Sequence, residues 1–400
     1  MPMLAQDLGF GGVGVGLLLT VPGLARLLAN LPAGVLADSA GRVPCMVGGT
    51  LLAAIGVLGT AMSGSLTTIL AIRFLMGVGG AVATAGSTAY LVDVTEHPRL
   101  RPFRGLLLGL QGGLISAGFV LGPAMGGVLT DALGARAAYF AVAGLTSFCA
   151  LPYASLPETL RAVAPGAEGA AAGARAADAA AGLSAGWRRC RDVAGGAVGQ
   201  WRELLRDPRQ QGLCAATAIL HLSFAAGVTI VPMQAAGAFG ASPGDIGALY
   251  SAASALGIVV APAAGRLADA HGRLALVQPA MLATAIGAAS TGLGTSWYGF
   301  LAAYLFWSLG QAALTPPLTA YAADIAPRTD AGAALALTRQ AADLTLCGAP
   351  LLLGLVHDAA PGPAAMLGTG ALTAAGAVGL RYRAWGTSGP HAADKAGKGE

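Results

Sequence analysis

Charge is scarce in this sequence. Asp, Glu, Lys and Arg make up 10% of its 400 residues, against about a quarter in an ordinary soluble domain. Aromatic residues are few, at 6%, and lysine occurs twice against 21 arginines. With a net charge of only +4, that preference for arginine reflects high-GC coding rather than a nucleic-acid partner. The five cysteines, Cys45, Cys149, Cys190, Cys214 and Cys347, are scattered without a C-x-x-C pair. This excludes a disulfide framework or a thiolate metal site and leaves small side chains in apolar runs. No H-E-x-x-H, no G-x-S-x-G and no carboxylate pair at membrane depth is present, so no enzyme and no bound cofactor is expected. The alternating pattern of a membrane β-barrel is missing too, and the opening MPMLAQDLGF lacks the basic start and cleavage site of a signal peptide.

What is present is apolar. Hydrophobic residues make up 55% of the chain and mean hydropathy is +0.66. A bilayer core takes roughly 20 apolar residues per helix, and helices satisfy their own backbone hydrogen bonds there. Eleven such runs are read at 13–37, 43–62, 66–92, 103–130, 136–156, 211–235, 245–268, 274–294, 297–322, 331–357 and 363–382. Turn chemistry separates them at Ser63-Gly64-Ser65, Asp131-Ala132-Leu133-Gly134, Ser242-Pro243-Gly244 and Pro361-Gly362-Pro363. The predicted class is an all-α integral membrane protein.

The chain is also duplicated. GVLADSAGR, Gly34 to Arg42, returns 231 residues later as GRLADAHGR, Gly265 to Arg273. AYLVDV, with Asp93, returns at the same offset as AYAADI, with Asp324. Pro2-Met3 lines up with Pro232-Met233 with a slip of one residue, and the latter pair ends an apolar helix that begins near Gln211. The first half is therefore expected to start at the end of its own first helix, through truncation or as a genuine eleven-helix form. The predicted division is a bundle over 1–160 (helices two to six of a six-plus-six scheme), a linker over 161–210, a bundle over 211–384 (helices seven to twelve) and a tail over 385–400.

Arginines at 42, 99, 101, 104, 273 and 328, those of the linker and the basic residues of the tail fall on one side of these spans, with Arg136 alone on the other. The positive-inside rule makes the first side cytoplasmic, linker and C-terminus included. The linker, Ala- and Gly-rich with interspersed arginines, reads as an interfacial spacer.

GVLADSAGR resembles the loop between helices two and three of the major facilitator superfamily, and the second copy resembles its partner between helices eight and nine. Gly34, Gly41, Gly265 and Gly272 allow close packing and a turn, Asp38 can cap a helix N-terminus, and Arg42 supplies the opposite charge. In the family the loop pairs with an acid ending helix four, which Asp93 and Asp324 match. The resemblance implies two latches, Asp38–Arg42–Asp93 and Asp269–Arg273–Asp324, that break in each transport cycle. A pair of charged turns is the plainer alternative.

Arg73, in RFLMGVGGA, resembles the family's helix-four arginine, which serves proton transfer or substrate charge. Its repeat-equivalent is Tyr304, so the fold does not require the charge. GFVLGPAMGG, carrying Gly118, Gly122, Pro123, Gly126 and Gly127, resembles the helix-five gating motif of the drug and proton antiporters. TLCGAPLLLG is its decayed copy, with Thr345 for the first glycine. LPETL, Leu156 to Leu160, is a weaker marker of the same branch.

The remaining coupling or substrate candidates are Arg26, His221, Gln111 and a pair on one helical face, Arg339 and Asp343. Gln234, Gln311, Gln340 and Tyr250 could line a cavity. The resemblance implies alternating access by a monomer in a lipid bilayer, exchanging protons for a small amphipathic molecule that is exported. No metal or cofactor is implied, and the proton gradient supplies the energy. A non-transporting sensor, a truncated inactive product and an uptake carrier of the same superfamily are the alternatives.

Overall fold

The structure is a computed structural model and describes residues 9–96, 98, 100, 103–159, 199–325, 331–360 and 363–385. The linker from 161 to 198, the tail beyond 385, Arg99, Arg101 and Arg328 lie outside the described residues.

Eleven long helices follow in order: α1 Gly12–Ala40, α2 Arg42–Met62, α3 Leu66–Glu96, α4 Arg104–Leu133, α5 Ala135–Ala154, α6 Pro208–Phe239, α7 Pro243–His271, α8 Arg273–Leu293, α9 Trp297–Ile325, α10 Ala331–Ala359 and α11 Ala364–Trp385. Each covers one run read from the sequence. Nine stretches among the described residues are long and apolar enough to cross a membrane, and Ala364–Leu380 is a shorter apolar one. The chain is a multi-pass integral membrane protein.

Local chemistry sets the helix ends. Pro208 opens α6 behind Asp207, whose carboxylate accepts from the Arg209 amide at 2.8 Å. Ser242 and Asp245 cap the start of α7 reciprocally at 3.1 and 2.9 Å. Gly41 and Gly272, at φ 109° and 95°, turn the chain between α1 and α2 and between α7 and α8 in a backbone region that disfavours other residues.

The chain forms two compact units. One takes α1 from Leu17, α2, α3, α4 without its middle, and α5; the other takes residues up to Gly16, Phe119–Val128 of α4, and everything from the α6 region onward. The core of the second unit gathers around Trp307, Phe300, Ile230 and Met366, and around Leu213, Met281 and Leu314.

Inside each unit the helices meet backbone to backbone at glycines, as expected where lipid removes the hydrophobic drive for association and close van der Waals contact takes its place. A Cβ on Gly79 of α3 would lie 2.6 Å from the Ala53 amide and 2.8 Å from the Gly49 carbonyl of α2, and one on Gly56 would lie 2.5 Å from the Met76 Cβ. At an offset of 231 residues, Gly310 meets Thr284 at 2.6 Å and Gly287 meets Trp307 at 2.5 Å. The repeat is thus one of packing as well as of motif.

Gly79→Ala should lower the stability of the protein in detergent by about 1–3 kcal/mol, the usual cost of an overpacked contact. Gly80→Ala, where an added Cβ meets nothing within 4 Å, should leave stability unchanged or raise it by up to about 1 kcal/mol. Thermal unfolding of both variants checks this.

Candidate functional site

Both charged clusters are assembled, each within one unit. Arg42 donates from Nη1 to Asp38 Oδ1 at 2.5 Å and to the Ala37 carbonyl at 2.7 Å, and from Nε to Asp93 Oδ2 at 3.1 Å. Arg273 repeats this, Nη1 on Asp269 and Nε on Asp324 Oδ2 at 3.0 Å. Asp38 and Asp269 are largely exposed, at 71% and 63% of the side chain, whereas Arg42 is 12% exposed against 32% for Arg273.

The first cluster is sheltered by two residues that sequence reasoning missed. Glu158 accepts from the Arg42 and Val43 amides at 2.9 and 3.0 Å. It caps the start of α2, which Gly41 leaves without a side-chain cap. Thr159 donates to Asp93 Oδ2 at 2.9 Å. LPETL was the available signal, but nothing in it says that a carboxylate will reach a helix N-terminus 116 residues back. Gly272, which precedes α8, likewise supplies no side-chain cap. Gly34 has open space where a Cβ would stand and Gly265 an ordinary contact with Pro316, so at these two positions the structure shows no close approach.

Arg73 lies on α3, 7% exposed. Among the described residues its Nε has no partner, and its Nη1 sits 3.9 Å from the Met76 sulfur. One turn further along α3, Gly77 packs on the Pro22 carbonyl and the Ala25 side chain of α1, so Arg73 faces the same side. A buried guanidinium with few hydrogen-bond partners is costly in a membrane-spanning helix. At the equivalent place in the other unit, Tyr304 packs edge-on against Tyr250 and Trp307, with ring centroids 5.8 and 5.5 Å away. Trp307 and Gln311 both donate to Ser223 Oγ, at 2.8 and 3.0 Å, and Tyr250 donates to the Gly227 carbonyl at 2.7 Å.

The Gly-Pro motif of α4 meets α7 closely at two of its residues. A Cβ on Gly127 would come 2.5 Å from the Pro243 carbonyl, and Gly247 of α7 abuts the Pro123 carbonyl. Gly118, Gly122 and Gly126 have nothing within 4 Å of that position. Gly247 was not foreseen, because it lies outside any motif.

Arg339 and Asp343 do not pair. The ion pairs among the described residues within 4.0 Å join other groups, Arg339 is exposed and Asp343 half-buried. Helical side chains lean toward the N-terminus, so an arginine four residues before an acid leans away from it. In both arginine clusters the acid comes first, and there the bond forms. His221 Nδ1 lies 2.8 Å from the Thr217 carbonyl one turn back. Gln234 donates to the Thr291 and Gly292 carbonyls at 3.4 and 3.3 Å. Arg26 is exposed midway along α1 and Gln111 half-buried on α4. Among the described residues no group of three or more His, Cys, Asp or Glu could hold a metal.

The Major Facilitator Superfamily profile matches residues 1–227 and 213–399. The chain is 29% identical over 140 residues to an uncharacterized MFS-type transporter, MJ1560, of Methanocaldococcus jannaschii, covering 35% of each. It is 27% identical over 150 residues to the quinolone resistance protein NorA of Staphylococcus aureus, covering 37% of each. These matches thus span little more than a third of either relative. Among solved structures, it is similar to a bacterial homolog of the human lysosomal transporter Spinster in an inward-facing, unoccupied conformation, with TM-score 0.71, 13% identity and coverage of 97% of this chain and 93% of that one. The human organic anion transporter MFSD10 gives TM-score 0.57 at 20% identity, over 91% and 83% of the two chains. With eleven long helices among the described residues, a duplicated charged loop and a profile match that runs through both halves, the chain belongs to the Major Facilitator Superfamily of membrane transporters.

Proposed function

We propose that this protein is a secondary active transporter that works by alternating access and exchanges protons for a small amphipathic organic molecule, which it exports. The observation that carries the reading is the duplicated latch, in which an arginine holds two acids in the same way 231 residues apart. The pairs to Asp38 and Asp269, both largely exposed acids, contribute about 1 kcal/mol or less to a fold. Their repetition in both halves therefore supports a role in switching rather than in stability. Similarity to NorA over part of the chain supports export of a drug-like molecule, and the unpaired Arg73 supports a charge-dependent step. Membership of a transporter family supports transport rather than catalysis. The basic loops support a cytoplasmic side for the Arg42 and Arg273 ends of the helices.

In vesicles with an imposed pH gradient, loaded with a fluorescent amphipathic dye, the wild-type protein should move dye against protons. Arg73→Ala should lower proton-linked efflux at least tenfold, and Arg73→Lys should recover part of it. Unchanged efflux in Arg73→Ala would remove the arginine from the mechanism.

Asp93→Asn should slow efflux more than Asp324→Asn, because Asp93 holds both Arg42 and Thr159 and is 28% exposed against 52% for Asp324. Thr159→Val should fall between wild type and Asp93→Asn. Initial rates at matched protein levels check the order. Equal rates in all three variants would reduce the clusters to charged turns.

A further inference from the structure

We infer that Asp358 and the first turn of α1 form a second kind of latch, at the helix ends opposite the arginine clusters, and that this bond is made and broken in each transport cycle. Asp358 Oδ1 accepts from the Gly12 amide at 2.6 Å and Oδ2 from the Val13 amide at 2.8 Å. These amides open α1 and have no earlier turn of helix to bind, and the positive end of the helix dipole favours a carboxylate there. The start of α7, which is repeat-equivalent to the start of α1, carries its own capping pair in Ser242 and Asp245. For α1 the cap comes from 346 residues away.

The surrounding packing is built for close approach along a register. A Cβ on Gly12 would lie 2.7 Å from the Gly354 carbonyl, one on Gly16 would lie 2.5 Å from the Pro350 carbonyl, and Gly354 in turn abuts the Gly12 carbonyl. Gly12 and Gly16 on α1 therefore face Pro350, Gly354 and Asp358 on α10, each set spaced by four residues along one helix face. Pro350 and Gly354 belong to the decayed copy of the gating motif and answer to Pro123 and Gly127, while Gly12 and Gly16 answer to Pro243 and Gly247. The α4–α7 and α1–α10 contacts of the second unit are thus two copies of one arrangement. At the motif's own offset, Asp131 stands at the position of Asp358. The acid is part of the repeat.

Asp358 is exposed, so the bond can exchange with water once the helices part. A helix N-cap usually comes from the sequence beside the helix. One supplied by α10 reports whether the two helix ends are together, which makes Asp358 a positioning residue for the cycle. This inference rests on the transport reading, and its test separates the two.

In a full-length protein whose own cysteines are replaced by alanine, the Gly11→Cys and Asp358→Cys pair should cross-link on oxidation, since a Cβ on Gly11 lies 3.5 Å from the Asp358 carboxyl carbon. Oxidation should reduce dye efflux from vesicles at least tenfold and reductant should restore it; efflux that continues unchanged in the cross-linked protein overturns the latch. Independently of transport, labelling of Val13→Cys by a membrane-impermeant maleimide should rise at least threefold with Asp358→Ala and return to its former rate with Asp358→Glu. Equal labelling in all three backgrounds also overturns it. If no variant moves any dye but labelling follows this order, Asp358 still holds the first turn of α1, and the transport reading falls together with the bond's place in a cycle.

Discussion

Small residues where helices cross are the constraint on which the rest of this structure depends. Lipid tails are as apolar as leucine, so helix pairs in a bilayer gain from contact only when their surfaces approach closely. Here the approach is set by glycines whose missing side chains would strike the neighbouring backbone. Gly86 of α3 shows how this places the chemistry. A Cβ there would lie 2.8 Å from the Arg42 carbonyl and 3.0 Å from the Cys45 side chain. Asp93 lies seven residues, two helical turns, beyond Gly86 on the same face of α3, so the contact that fixes the start of α2 also brings Arg42 within reach of Asp93. In the second half Pro317 stands where Gly86 does. The arginine there is more than twice as exposed.

The differences between the halves are as informative as the repeat. Duplication retained the glycine contacts, the turn glycines Gly41 and Gly272, and the arginine between two acids. It did not retain Arg73, whose counterpart Tyr304 completes an aromatic cluster and a hydrogen-bonded network through Ser223. Because Tyr304 shows that an uncharged ring fills this place in the same scaffold, the burial cost of Arg73 is not imposed by the fold. Burying a cation where a ring would pack is a local conflict of the kind found at functional positions.

Helix number, order and approximate limits were legible in the sequence because each run is apolar along its length and ends in turn chemistry. The arginine clusters were legible because the repeat set them side by side in register. Cross-chain capping was not legible. Glu158 caps α2 and Asp358 caps α1 over separations of 116 and 346 residues, and a carboxylate at a loop or helix end looks the same whether or not an amide waits for it. Arg339 and Asp343 failed for a different reason: spacing alone suggested a pair, and the direction in which helical side chains lean decided against it. The glycines of the α4 motif divide similarly, since a motif gives residue types but only the crossing partner tells which of them are occupied.

The energetics of the two kinds of latch fit the proposed cycle. Arginine pairs to exposed acids such as Asp38 and Asp269 are worth about 1 kcal/mol or less, and a helix cap typically about 1 kcal/mol. A fully buried salt bridge would behave otherwise, since breaking one leaves an uncompensated charge at a cost of about 3–5 kcal/mol. Two conformations that both have to be visited can differ by only a few kcal/mol before the minor one becomes too rare to work. Weak bonds at both ends of the helices keep within that limit, and Asp38, Asp269 and Asp358 are all exposed. The glycine contacts of α2 with α3 and of α8 with α9 lie inside one unit each. On this argument α1 is the element to watch, because its first turn is held by Asp358 and its last supplies Asp38 to Arg42 over 29 residues, roughly 43 Å of helix.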